Sequence, residues 1–192
     1  GVCWRLARQL ANEHGLAVRL WVDEPGIAQR LIEGLEISLE RQVMDGVEIC
    51  HWAEPFADEM VADVVIEAFG CKLPQNYLAA MAIAKPIWLN LEYLSAENWV
   101  AESHLRPSPH PALPLTKYFF FPGFTEQTGG LIRERDLIKK RNAFQNSSQA
   151  QAMFWEKLAV ADSAALKVSL FCYADAPVVD LLESMAASSQ PV

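Results

Sequence analysis

The sequence predicts an α/β protein: a doubly wound, Rossmann-like domain built on a parallel sheet. Segments of strand character alternate with segments of helical period, and the strands are continuously apolar, as strands covered on both faces must be. A third observation concerns order. A helix comes first, although a sheet of this kind opens on a strand, so the first strand is expected to be missing from the chain, with Gly1 as the last residue of its strand-to-helix turn.

The elements follow in order. Val2, Leu6, Gln9 and Leu10 set out one face of a helix over Val2 to Glu13, and Gly15 supplies its stop. Leu16 to Val22 alternates as a strand. Asp23 and Pro25 suit the start of a helix running over Ile27 to Gly34. Val47 to Trp52 is a second strand, reached through the turn Asp45-Gly46, and Asp63 to Phe69 a third. A helix over Gln75 to Ala84 leads to a fourth strand, Pro86 to Leu91. Ser95 to Thr116 carries Pro107, Pro109, Pro111 and Pro114 and reads as a long excursion without elements. Lys117 to Phe121 is a fifth strand, buried on both faces, and it runs into the glycine-rich loop Pro122 to Gly130. Helices are expected over Leu137 to Phe144 and Gln149 to Ala161, joined at Asn146-Ser147-Ser148. A sixth strand, Leu166 to Tyr173, and a final helix, Val178 to Ala187, complete the domain. Residues 188–192 read as the start of a linker, so the domain is placed at 1–187.

A length of 192 residues suits one domain, and 52% hydrophobic with 21% charged residues is the composition of a globular protein. No apolar run approaches the roughly 18 residues of a membrane span. A formal charge of −8 speaks against binding nucleic acid directly. The basic residues at Arg133, Arg135 and Lys139-Lys140-Arg141 read as solvated helix surface, interleaved with Glu134 and Asp136. Cys3, Cys50, Cys71 and Cys172 are scattered, with no C-x-x-C pair and no histidine at zinc spacing. They read as buried thiols of a reducing cytoplasm, and no metal site is expected.

In an open parallel sheet, ligands sit outside the carboxyl ends of the strands. That rule nominates Asp23, Glu67, Glu92-Tyr93, Phe124-Thr125 and Tyr173 to Asp175. Glu67 and Glu92 stand out, because a carboxylate in or just past an apolar strand costs free energy unless it is paired. Each either receives a cationic group of a substrate or serves the fold, by capping the next helix or pairing with Lys72 or Lys85. Tyr173, with Phe171 two residues before it on the same strand face, suits a stacking site at the crevice mouth. His14, His51, His104 and His110 stand in no nucleophile motif, and neither a Walker loop nor G-x-G-x-x-G is present.

The blocks GVCWRLARQL, VVIEAFGCKLP, PIWLNLEYLSAENW, PSPHP, KYFFFPGFTEQTGGLIRERDL and SLFCY, in this order, closely resemble the protein-arginine rhamnosyltransferases that modify bacterial elongation factor P, the EarP family. The likeness covers nearly the whole chain. It implies an inverting glycosyltransferase of two facing Rossmann-like domains, the GT-B arrangement. Such an enzyme moves rhamnose from dTDP-β-L-rhamnose to an arginine of elongation factor P, in the cytoplasm and without a metal or other cofactor, in support of ribosomes stalled at polyproline. This chain corresponds to the amino-terminal, acceptor-side domain, inactive alone, with the nucleotide-sugar domain absent. The family's D-N-[FY]-G-D-I-G turn, whose second aspartate is regarded as the general base, is matched only by its final glycine, Gly1. No catalytic residue is therefore expected in the chain. By position, Tyr173 with Phe171 is expected to reach the donor, and Glu67 and Glu92 are the acceptor-side candidates. Two other readings stand beside this one. One is a non-enzymatic Rossmann-like module that binds a protein partner; the other is a nucleotide-dependent oxidoreductase on the same fold.

Overall fold

The structure, a computed structural model, describes residues 1–53, 60–160, 166–170, 172 and 175–188. The chain forms two compact units, Gly1–Arg135 and Asp136–Val192.

The first unit opens on α1 (Val2–His14). Gly15 ends it in the left-handed conformation at φ 66°, where the amides of Gly15 and Leu16 return to Ala11 and Leu10. Then come β1 (Val18–Val22) and α2 (Pro25–Gln29), with Pro25 in its first turn and the Asp23 carboxylate accepting from the Glu24 amide. The helix expected to reach Gly34 is a short one continued by turns. Next comes an unexpected strand, β2 (Arg41–Met44), which folds back antiparallel on β3 (Val47–His51). Asp45 and Gly46 join them with φ of 47° and 76°, the two left-handed residues of a tight hairpin. β1 and β3 run parallel, giving a three-stranded sheet of order β1-β3-β2. Trp4 and Ala7 of α1 pack with Ala28, Ile32, Leu35, Val47 and Ile49 as its core.

A second sheet has the order β4-β5-β7-β6. β4 (Val64–Ala68), α3 (Gln75–Ala84) and β5 (Ile87–Leu91) make a parallel crossover unit, and β7 (Thr116–Phe120) continues the parallel run. The long excursion does contain elements: α4 (Trp99–Ser103) and β6 (Pro107–Pro109), the latter antiparallel on the outer side of β7. Prolines are tolerated there because an edge strand needs few ladder donors. Leu78 and Met81 of α3 cover Val65 and Trp88 on one face.

Two corrections follow. The single parallel sheet is divided into two mixed sheets, each with an antiparallel edge strand. The second sheet is also not covered on both faces: Val64, Ile66 and Ile87 alternate with buried residues of β4 and β5 and stay exposed, as does Tyr118 of β7.

The second unit contains α5 (Leu137–Gln145), α6 (Ser148–Lys157) and α7 (Val178–Ala186). Ser147 caps α6 by accepting from the Ala150 amide, and Phe144 meets Phe154 edge to face at 5.6 Å. Residues 166–170, expected as the start of a sixth strand, have no regular structure. A strand needs a ladder partner, and among the described residues of this unit there is no strand to supply one.

Candidate functional site

The carboxyl ends of the neighbouring strands β4, β5 and β7 lead to Glu67, Glu92-Tyr93 and Phe124-Thr125 of the residues that the strand-end rule nominates, whereas Asp23 follows β1 of the other sheet. Glu67, next to last in β4, is 5% exposed. Its register partner is Asn90 of β5, and the cation that reaches it is Lys117 of β7, with Nζ at 3.1 and 3.3 Å from the two carboxylate oxygens. The ammonium also lies 5.0 Å from the Trp88 ring centroid and 5.8 Å from that of Phe119. Glu67 is thus neutralised inside the sheet, by Lys117 and not by Lys72 or Lys85. Lys85 instead closes α3 at φ 55°.

Glu92 follows the last residue of β5 and is half-buried. Its amide donates to the Phe120 carbonyl, which fixes the backbone at the sheet end. Its carboxylate accepts from Asn90 Nδ2 at 2.5 Å. Among the described residues no cation pairs with it. Asn90 is fully buried; its Oδ1 and the Trp88 Nε1 find no partner among the described residues. Glu67 and Glu92 therefore differ in kind: one carboxylate is paired and enclosed, the other is oriented and open.

Beside Glu92, Tyr93 is 68% exposed and stacks on Phe69, with centroids 4.4 Å apart and planes at 19°. Phe69 directly follows β4 at φ 57°, a conformation that bulky residues avoid, and its amide holds the Leu91 carbonyl at 2.7 Å. Strand-end reasoning nominated Tyr93 only as the neighbour of Glu92. Phe69 was read as the last residue of its strand, and the flanking Gly70 was the available sign of a backbone turn there.

The glycine-rich loop after β7 owes its glycines to its own packing. A Cβ on Gly123 would stand 2.6 Å from the Thr128 hydroxyl, and one on Gly129 would enter the Phe120 ring. The Gly129 amide returns to the Phe121 carbonyl, and Thr128 Oγ1 donates to the Thr125 carbonyl. His104 supports the same turn: Nδ1 accepts from the Phe121 amide at 3.1 Å, and burial lowers its pKa. Further on, Arg5, Gln9 and Glu13 of α1 hold residues 132–135. Arg5 makes two 2.7 Å bonds to Glu134, Gln9 donates to the Arg133 carbonyl, and Glu13 accepts from the Arg135 amide. The Arg5 guanidinium holds the Glu134 carboxyl down at about 2.

Of the thiols, Cys50 is buried, Cys3 half-buried, and Cys71 and Cys172 exposed, so the expectation of four buried cysteines is corrected. Burial raises the pKa of the half-buried Cys3. Among the described residues no group of three His, Cys, Asp or Glu side chains is placed to hold a metal ion. No helix among them is long and apolar enough to cross a membrane. Phe171 and Tyr173, the expected donor-side pair, lie outside the described residues.

A family model described as elongation factor P (EF-P) rhamnosyltransferase EarP matches residues 1–192. The chain is 47% identical over 194 aligned residues to a protein-arginine rhamnosyltransferase of Pseudomonas putida and 48% identical to one of Pseudomonas aeruginosa. Each alignment covers the whole chain and 51% of the relative. A protein-arginine rhamnosyltransferase of Shewanella oneidensis is 42% identical over 84% of the chain and 43% of its own length. The chain thus spans about half the length of the curated relatives it matches.

Proposed function

The chain belongs to the elongation factor P rhamnosyltransferase family EarP, and from that membership we propose that it is the amino-terminal, acceptor-side half of a protein-arginine rhamnosyltransferase. The observation that carries this reading is the match of all 192 residues to the family, at close to half identity with two enzymes of that activity. The donor is dTDP-β-L-rhamnose, the acceptor an arginine of elongation factor P, the compartment the cytoplasm, and the partner half a nucleotide-sugar domain facing this one in the GT-B manner.

The sheet order supports the Rossmann-like part of the proposal. Among the described pairings, β1 is bonded only to β3 and β4 only to β5, so each sheet ends on an unpaired parallel strand. One parallel strand entering α1 through Gly1 and lying between β1 and β4 would join the two into a single sheet. Its strands would then follow the doubly wound order, with the crevice at the switch point beside that strand.

The chemistry fits carboxylates at this end. Arginine keeps its proton at any physiological pH and delocalises its lone pairs, so it is a poor nucleophile. A carboxylate bonded to the guanidinium localises its charge and takes the proton as Nη attacks the anomeric carbon. The new C–N bond forms on the face opposite the departing diphosphate, as the C–O bond breaks, which inverts the centre. We assign the base to the aspartate of the family's turn before Gly1, and acceptor orientation to Glu92, whose carboxylate is set by Asn90 and meets no cation among the described residues. Glu67 is engaged by Lys117 and acts on the acceptor side through the sheet end that it stabilises. Tyr173 and Phe171 are assigned to the donor.

The test is steady-state transfer by the full-length enzyme with elongation factor P and dTDP-β-L-rhamnose. Glu92→Gln should lower kcat/KM for the acceptor roughly tenfold to a hundredfold, as loss of a charge-assisted bond predicts. Tyr173→Ala should weaken donor affinity. Unchanged acceptor kinetics in Glu92→Gln, or unchanged donor affinity in Tyr173→Ala, would contradict the respective assignment.

A further inference from the structure

Asn90 is enclosed as completely as the apolar Met81 and Val47, in a strand paired on both sides by β4 and β7. An amide in such a place costs free energy unless both its ends are bonded. Here one end is. Nδ2 donates to the Glu92 carboxylate at 2.5 Å, while Oδ1 meets no donor among the described residues. Glu67, the register neighbour of Asn90, takes its two bonds from Lys117 and none from the amide. The fold alone is better served by an apolar residue at position 90, so what the amide does is found in its one bond. That bond goes to the carboxylate two residues on, on the same side of the extended chain. Glu92 has its backbone fixed by the bond to the Phe120 carbonyl, but its side chain turns about several torsions, and no other described side chain bonds its carboxylate.

Resting on the acceptor reading above, we propose that Asn90 is a positioning residue for the acceptor arginine: it holds Glu92 Oε1 from inside the sheet, so that Oε2 is presented in one direction to the guanidinium. Asn90 touches no substrate and carries no proton. It acts through Glu92, by removing torsional freedom that the carboxylate would otherwise lose on binding. The orphaned Oδ1 follows from this orientation, since the amide turns only its donor end toward an anion.

The experiment is a double-mutant cycle in the full-length enzyme: wild type, Asn90→Val, Glu92→Gln and the two together, with kcat and KM measured separately for the acceptor protein and for the sugar donor. Asn90→Val should lower kcat/KM for the acceptor by about five- to fiftyfold, the size of a hydrogen bond to a charged group, and leave the donor KM unchanged. In the Glu92→Gln background the same substitution should add nothing. Asn90→Ala controls for packing. It opens a cavity where valine keeps the space filled, so thermal melting should fall in Asn90→Ala and stay near wild type in Asn90→Val, while both lose the same acceptor kinetics. Full additivity in the cycle, an unchanged acceptor kcat/KM in Asn90→Val, or a kinetic loss that follows the melting temperature overturns the positioning role and leaves the transferase reading intact. Unchanged acceptor kinetics in Glu92→Gln instead contradicts the assignment of Glu92, and this proposal with it.

Discussion

Glu67 and Lys117 bear on the site mainly through the fold. A buried carboxylate with a single cationic partner is costly to orphan, and Glu67 is 6% exposed at its side chain against 21% for Lys117. Lys117→Met should destabilise the domain by about 3 kcal/mol in chemical denaturation, since it leaves the carboxylate uncompensated. Removing both charges, in Glu67→Leu with Lys117→Met, should recover stability to within about 1 kcal/mol of wild type. A double variant whose loss equals the sum of the single losses would contradict this coupling. The position of Glu67 was legible in the sequence as an acid inside an apolar strand. Its partner was not, because a lysine 50 residues away meets it only through the register of an intervening strand. The same holds for the Phe69–Tyr93 stack, which depends on how two strand ends align.

At the scale of elements, local signals served where local physics decides. The helix Gln75–Ala84 was readable to the residue between Pro74 and the break at Lys85-Pro86, and Gly15 marked the end of α1. β2 was missed, although Asp45-Gly46 between Arg41–Met44 and Val47–His51 is a strong hairpin signal. Its burial alternates between exposed and half-buried, so pairing with β3, not apolar content, makes it a strand. The α1 strap is a further tertiary feature. Arg5, Gln9 and Glu13 recur at helical spacing, but nothing local identifies residues 132–135 as what they hold. Because the Glu134 carboxyl is held down at about 2, its contribution is present above the ordinary carboxylate range and is lost as pH falls from about 4.5 toward about 2. Arg5 is 45% and Glu134 30% exposed, so the contribution is below about 1 kcal/mol. In denaturation midpoints, Arg5→Met should be slightly less stable than wild type at pH 7, and the gap should narrow as pH is lowered to about 3. A gap that is constant or widens would contradict the ion pair as its source.

For the whole molecule, the alternation of helices with apolar strands was enough to read an α/β protein, and the parallel pairs β1–β3, β4–β5 and β5–β7 carry that reading. The division into two sheets was not legible, because apolar runs do not state which strands pair. A parallel strand between β1 and β4, as proposed above, would account for the division. The central claim is that the full-length enzyme places one rhamnose on an arginine of elongation factor P. The direct measurement is tandem mass spectrometry of elongation factor P after incubation with that enzyme and dTDP-β-L-rhamnose. The account predicts a single added deoxyhexose on an arginine side chain, lost when that arginine is replaced by lysine. Unmodified elongation factor P, or the sugar on any other residue type, would contradict it.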